Sequence, residues 1–329
     1  MKKILAILLA LFLALSLTAC GGSSEPAESK EDPAPAEQEA PAEPEAPAEP
    51  EPPVEQEPEP IVIPDPVVYT GSGDNVLEIQ PPEGVWVFHV MGNASESHFA
   101  VKGYDASNSS TDLFVNTTEA YDGYTFDPSQ STALLEISAE GDWTVELVSV
   151  YEMPVLGVDE PITGTGDAVL LTALPDMLWT LNVSGNSSEN HFAVKGYDSA
   201  LYGTELFVNT TDVYEGITLD QSQSTALLTV TAESDWAIDL APTNELPQYT
   251  KGDTITGTGD TVFLVDEVGQ TATISGNEIG AHFAVKMHSL YESDLLVNET
   301  DPYEGTVRLD FDPLLMVVTA EDAWSISLN

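Results

Sequence analysis

Positive charge is what this chain most lacks: 8 Lys plus Arg stand against 56 Asp plus Glu in 329 residues, a formal net charge of −48. Nucleic acid is excluded as a partner on that ground, because affinity for a phosphate backbone comes from Lys and Arg neutralising it. Cysteine is nearly absent, with a single residue, so an intramolecular disulfide framework and every multi-thiolate zinc site are excluded too. Beyond residue 60 there is no helical stripe as long as about ten residues. Common catalytic signatures are missing: the chain has no Gly-x-Ser-x-Gly, no His-Glu-x-x-His and no second thiol. No catalysis is expected. The alternative is an envelope hydrolase whose site is assembled from loop carboxylates, but paired acids discriminate little among so many.

The N-terminus carries what the rest lacks. Lys2 and Lys3 precede an apolar run from Ile4 to Leu17. Such a run rises only about 21 Å as a helix, short of a hydrocarbon core of roughly 30 Å, and predicts a signal segment over residues 1–19 rather than a membrane span. Leu17-Thr18-Ala19-Cys20, followed by Gly21-Gly22-Ser23-Ser24, resembles a bacterial lipobox with its tether at 20–24. The resemblance implies that Cys20 is acylated and becomes the mature N-terminus. It implies an exported lipoprotein held by that lipid on the outer face of a bacterial membrane, at the cell surface. Stable anchoring takes more than one acyl chain, which that class of lipoprotein carries.

Residues 25–60 follow as a Pro/Glu/Ala-rich spacer. Of these 36 positions 13 are acidic, 11 are Pro and 7 are Ala, and Val54 is the one larger apolar side chain. So little apolar surface cannot offset the entropy of ordering, and the expectation is a disordered, extended linker.

The remainder is one module written three times, expected over 61–150, 151–241 and 242–329. Thr70-Gly71-Ser72-Gly73-Asp74 returns as Thr163-Gly164-Thr165-Gly166-Asp167 and Thr256-Gly257-Thr258-Gly259-Asp260, 93 residues apart each time. His98-Phe99-Ala100-Val101-Lys102 returns at 191–195 and 282–286; Tyr121 and Gly123 return as Tyr214 and Gly216, then Tyr303 and Gly305. Trp143, Trp236 and Trp324 open the closing element of each copy. A period this long is a domain rather than a solenoid unit. Apolar residues alternate, as in Trp143, Val145 and Leu147, and Gly, Asn, Asp and Pro punctuate the runs. The fold class is therefore all-β: three tandem antiparallel β-sandwich domains, immunoglobulin-like or jelly-roll, with seven or eight strands each. Short connections near 151–161 and 241–251 predict a stiff row. The pattern resembles the β-sandwich repeats of exported bacterial proteins and, loosely, bacterial pre-peptidase C-terminal domains. Gln270 replaces Trp86 and Trp179 in the third copy, which predicts a smaller core there.

Candidate binding residues come from the rare cations. Beyond residue 60 there are five basic residues, and three of them, Lys102, Lys195 and Lys286, stand at one repeated position with His98, His191 and His282 four residues before. Positions i and i+4 of a strand share a face, so each pair points away from Phe99 and Val101 or their copies. The pair could contact a carboxylate or other anion once per module; the plainer expectation is a cross-strand ion pair within the module. Asp74, Asp167 and Asp260, in tight turns of an acidic exported chain, are candidate Ca2+ ligands, although no EF-hand loop is present. The same glycine turns lack the third glycine and the following helix of a nucleotide cradle, so no nucleotide is expected. Cell-wall glycan or a surface protein is the expected partner.

Overall fold

A computed structural model describes residues 62–158, 160–173, 178–289 and 292–329. The signal segment, Cys20, its tether and the spacer lie outside the described residues. Contacts gather Ile63–Asn329 into one compact unit. Among the described residues no helix is long and apolar enough to cross a membrane.

The first module has eight strands: β1 (Val67–Ser72), β2 (Asn75–Glu78), β3 (Trp86–Gly92), β4 (Phe99–Asp105), β5 (Ser110–Thr117), β6 (Tyr121–Thr125), β7 (Thr132–Ser138) and β8 (Asp142–Ser149). They form two antiparallel sheets ordered β1-β8-β3-β6 and β2-β7-β4-β5. Every connection except β4 to β5 crosses from one sheet to the other. Of the two sandwich types expected, this order is the jelly roll. The second and third modules repeat it from Ile162 to Pro242 and from Thr254 to Leu328. The connections are not plain linkers. Val155–Leu156 and Gln248–Thr250 each add a parallel edge strand to the module that follows.

Alternation explains the sandwich. In β8, Trp143, Val145 and Leu147 are buried while Asp142, Thr144 and Glu146 are not. The inward side chains of one sheet meet Phe99, Val101, Leu135 and Ile137 of the other in a single core. Equivalent cores fill the other two modules. The third core is composed differently from the first two. Where the first two modules place Gly103 and Gly196 under Phe114 and Phe207, the third has Met287 with Leu296, and Phe263 stands where Leu77 and Leu170 do. Met287 and Phe263 add volume there, while Ala272 stands in the place of Phe88 and Leu181 and Gln270 in that of the tryptophans.

The modules also pack on each other through apolar outer faces. Val87, Phe126 and Val148 of the first, with Met153 of the connection, meet Val169, Leu227 and Tyr197 of the second. Leu219, Ile217 and Leu178 of the second meet Val262, Leu315 and Val317 of the third. Val76 holds the position of Val169 and Val262 in the first module, outside the two described junctions. It is 61% exposed, against 1% and 0% for the other two. Burial at a junction, rather than residue type, distinguishes these valines.

Each of the first two modules also holds a buried aspartate in a turn. Asp127 is 2% exposed and accepts from Ser129 and Thr132 through both backbone N–H and hydroxyl, and from the Ser131 N–H. Burial pushes its carboxyl up, but these donors outweigh burial and hold it below the usual aspartate range. A depressed carboxyl stabilises the fold above the ordinary aspartate value, and that contribution is lost as pH falls through the lowered one. Thermal unfolding from about pH 6 down to about pH 3 is therefore expected to show a steeper acid loss in wild type than in Asp127→Asn. Equal slopes would remove Asp127 from the account.

Candidate functional site

The repeated motifs converge where one module meets the next. In Thr163-Gly164-Thr165-Gly166-Asp167, Gly164 lies against the indole of Trp236, where any Cβ would overlap the ring. Gly166 turns the chain at φ +74, and its carbonyl accepts from Trp236 Nε1 at 2.9 Å. Asp167 Oδ1 then accepts from the Ala232 N–H at 2.9 Å. The first and third modules repeat all three features: Trp143 Nε1 to Gly73 and Ala139 N–H to Asp74, then Trp324 Nε1 to Gly259 and Ala320 N–H to Asp260. The glycine motif is a strand turn closed by tryptophan, and all five tryptophans are core, at 5% exposure or less.

The second oxygen of the aspartate reaches across the junction. Tyr121 of the first module donates to Asp167 Oδ2 at 2.7 Å, and Tyr214 of the second donates to Asp260 Oδ2 at 2.7 Å. Tyr124 N–H and Ile217 N–H bond the carbonyls of the same aspartates at 3.0 and 3.1 Å. Gly123 and Gly216 are needed here, since a Cβ would press on the tyrosine hydroxyl and the aspartate at 3.3 Å or less. Thus Tyr-x-Gly and Gly-x-Gly-Asp are two halves of one latch, used twice. Burial raises the carboxyls of Asp167 and Asp260 above the usual range, partly countered by these hydrogen bonds. Burial and the facing aspartate raise both tyrosine hydroxyls, which remain donors.

The candidate Ca2+ ligands Asp167 and Asp260 thus have both carboxylate oxygens taken by protein donors, and Asp74 has one so taken. No group of three or more His, Cys, Asp or Glu close enough to hold a metal ion occurs among the described residues. The candidate binding pairs lie on the outer faces, as expected. His98, Lys102, His191, Lys195 and His282 are exposed, whereas Lys286 is only partly so. The expected cross-strand ion pair does not form: among the described residues no lysine lies within 4.0 Å of a carboxylate. Lys102 stands opposite Glu136, but that carboxylate accepts from Tyr104 at 2.6 Å. Opposite Lys195 and Lys286 are Thr229 and Val317. His191 and His282 sit beside Asn209 and Asn298 at 3.1 Å and face the preceding module across the junction.

Sequence reasoning overlooked two further features. Asn93, Asn186 and Asn277 adopt φ of 60, 65 and 67 and are buried. Each donates from Nδ2 to two backbone carbonyls, tying the β3–β4 turn, or its copy, to the loop before the latch tyrosine. The repeated Gly-Asn pair was the available signal. His89 lies between Asp122 Oδ1 at 2.8 Å and Glu146 Oε2 at 3.0 Å and stacks on Tyr124 at 4.3 Å. Asn182 and Ile217 take the places of His89 and Tyr124 in the second module, so sequence repetition gave no cue.

No protein-family model matches the chain, and no curated protein matches it.

Proposed function

We propose that this chain is a lipid-anchored bacterial lipoprotein that displays three β-sandwich modules outside the membrane, for binding or adhesion, and performs no catalysis. The observation that carries this reading is the doubled latch. The repeated Tyr and Asp residues hold the modules in succession, and the repeated Gly and Trp residues shape the turn that presents each Asp, so the same outer surfaces recur along the chain. Repeated presentation raises avidity without any new contact. Acyl chains on Cys20 would hold the protein at the membrane, and the acidic spacer would set the modules away from it, by roughly 110 Å at most if fully extended. Glycan or surface protein at the envelope is the partner class in this reading. The resemblance to exported β-sandwich repeats agrees with it.

The anchor is tested by expressing the whole chain and its Cys20→Ser variant in a bacterium fed labelled palmitate. The wild type is expected in the membrane fraction carrying label, and the variant unlabelled and released. An unlabelled wild type, or a Cys20→Ser variant that stays in the membrane, would falsify the lipoprotein reading.

A further inference from the structure

Among the described residues, the outermost strand of one sheet in each module has no strand beyond it. β5 is hydrogen-bonded to β4 on one side only, and Gly203–Thr210 is likewise the end strand of its sheet. Such an edge carries N–H and C=O groups with no strand partner. Asp112 caps the Leu113 N–H at 2.7 Å, so the open stretch of β5 begins after it. The pairing shifts register at Val101/Lys102 and again at Val194/Lys195. After this shift Phe114 and Phe207 are buried at 7% and 6%, whereas Leu113 and Leu206 are left 45% and 55% exposed.

Beside each of these two edges lies a groove shared with the next module, of about 800 Å³ at the first junction and about 510 Å³ at the second. The two are lined alike, by residues of the edge strand, by the latch tyrosine and aspartate, and by His191 or His282 of the next module. Three acids recur at equivalent places. Glu119, Asp122 and Glu233 line the first groove; Asp212, Glu215 and Glu321 line the second, and all six are exposed.

We propose that each groove binds an extended polypeptide segment bearing lysine or arginine, which adds as a strand to the free edge. An open edge supplies main-chain hydrogen bonds that an added strand completes. The exposed leucine supplies an apolar contact for one of its side chains, and the acids attract its cations. A glycan has no backbone ladder to complete, so the edge favours polypeptide. The third copy of the edge, Ser293–Glu299, exposes Leu295 at 47%. The two described junctions give two such sites. This inference rests on the reading of the protein as a display of binding modules and names the partner of that display.

The test is calorimetric titration of the full chain in non-ionic detergent. The probe is an end-blocked peptide of alternating lysine and valine, about nine residues, the length of a strand. Saturable binding at two sites per chain is expected. Methylating alternate backbone nitrogens is expected to weaken it by about tenfold or more, because the added ladder loses its donors. A peptide with glutamate in place of lysine is expected not to bind. Leu113→Arg with Leu206→Arg changes two exposed side chains and is expected to weaken the lysine peptide by about tenfold or more with an unaltered circular dichroism spectrum. The proposal is overturned if binding is not saturable, or if methylation leaves it unchanged, which would mean bulk charge attraction alone. It is equally overturned if soluble peptidoglycan strands bind with the same dependence on Leu113 and Leu206 while the peptide does not. None of these outcomes touches labelling of Cys20, so the anchor and the groove stand or fall separately.

Discussion

Trp236→Ala is expected to lower the stability of the second module by about 3–5 kcal/mol, the usual cost of emptying a buried aromatic site. The side chain is 4% exposed and belongs to the module core. Its ring covers Gly164 and its Nε1 donates to the carbonyl of Gly166, so truncation opens a cavity and also frees a turn carbonyl. Trp236→Phe keeps most of the packing and loses the bond, and should cost less, with about 0.5–1.5 kcal/mol attributable to the hydrogen bond itself. Gly164→Ala approaches the same contact from the other side. Its Cβ would overlap the indole, and neither the strand backbone nor the buried ring has room to yield. Denaturant unfolding followed by tryptophan fluorescence and circular dichroism measures all three. If Trp236→Ala proves no worse than Trp236→Phe, the packing account of this motif is wrong.

Asp167→Ala should loosen the first junction and the second module together. It orphans the Ala232 N–H within the module and the Tyr121 hydroxyl across the junction, at about 1–3 kcal/mol for each buried group left unpaired. Tyr121→Phe removes only the bond across the junction. Comparing the two divides the effect, and small-angle scattering reports the expected rise in radius of gyration when the junction opens. The apolar contacts of Val87, Phe126 and Val169 resist this opening, so Tyr121→Phe alone should change the scattering less than Asp167→Ala. The reverse order would refute the latch.

The same aspartate gives a pH signature. Its carboxyl is raised by burial, so the folded chain holds the proton more tightly than the unfolded chain does. Stability from this group is then greatest below the ordinary aspartate value and falls as pH rises through the raised one. Asp167→Asn keeps an oxygen for the Ala232 N–H and should flatten that window.

Some of this was legible in advance and some was not, for identifiable reasons. Alternation in Trp143, Val145 and Leu147 reports which side faces inward, because a strand's side chains alternate whatever surrounds them. The repeats of Gly-x-Gly-Asp and Tyr-x-Gly were equally visible, but as separate signals. They lie 46 residues apart in the pairs that meet, Tyr121 with Asp167 and Tyr214 with Asp260, and nothing local says that one module's tyrosine answers the next module's aspartate. The lysines misled for a related reason. A cation among many acids was expected to find one in its own module, yet Glu136 is already bonded to Tyr104, and Thr229 and Val317 face the other two. The third core trades side chains on several strands at once, Met287 and Phe263 for smaller residues and Ala272 for a larger one, and no single strand's sequence shows that exchange.

Composition, period and alternation by themselves determined that this is an acidic all-β chain of three like modules, since those properties depend on counts and on neighbours along one strand. Tertiary structure alone decided the jelly-roll order, the pairing of tyrosine with aspartate across each junction, and which valines and leucines are covered. Each of these depends on what lies opposite a residue in space, and a strand's own sequence carries no record of its distant partner.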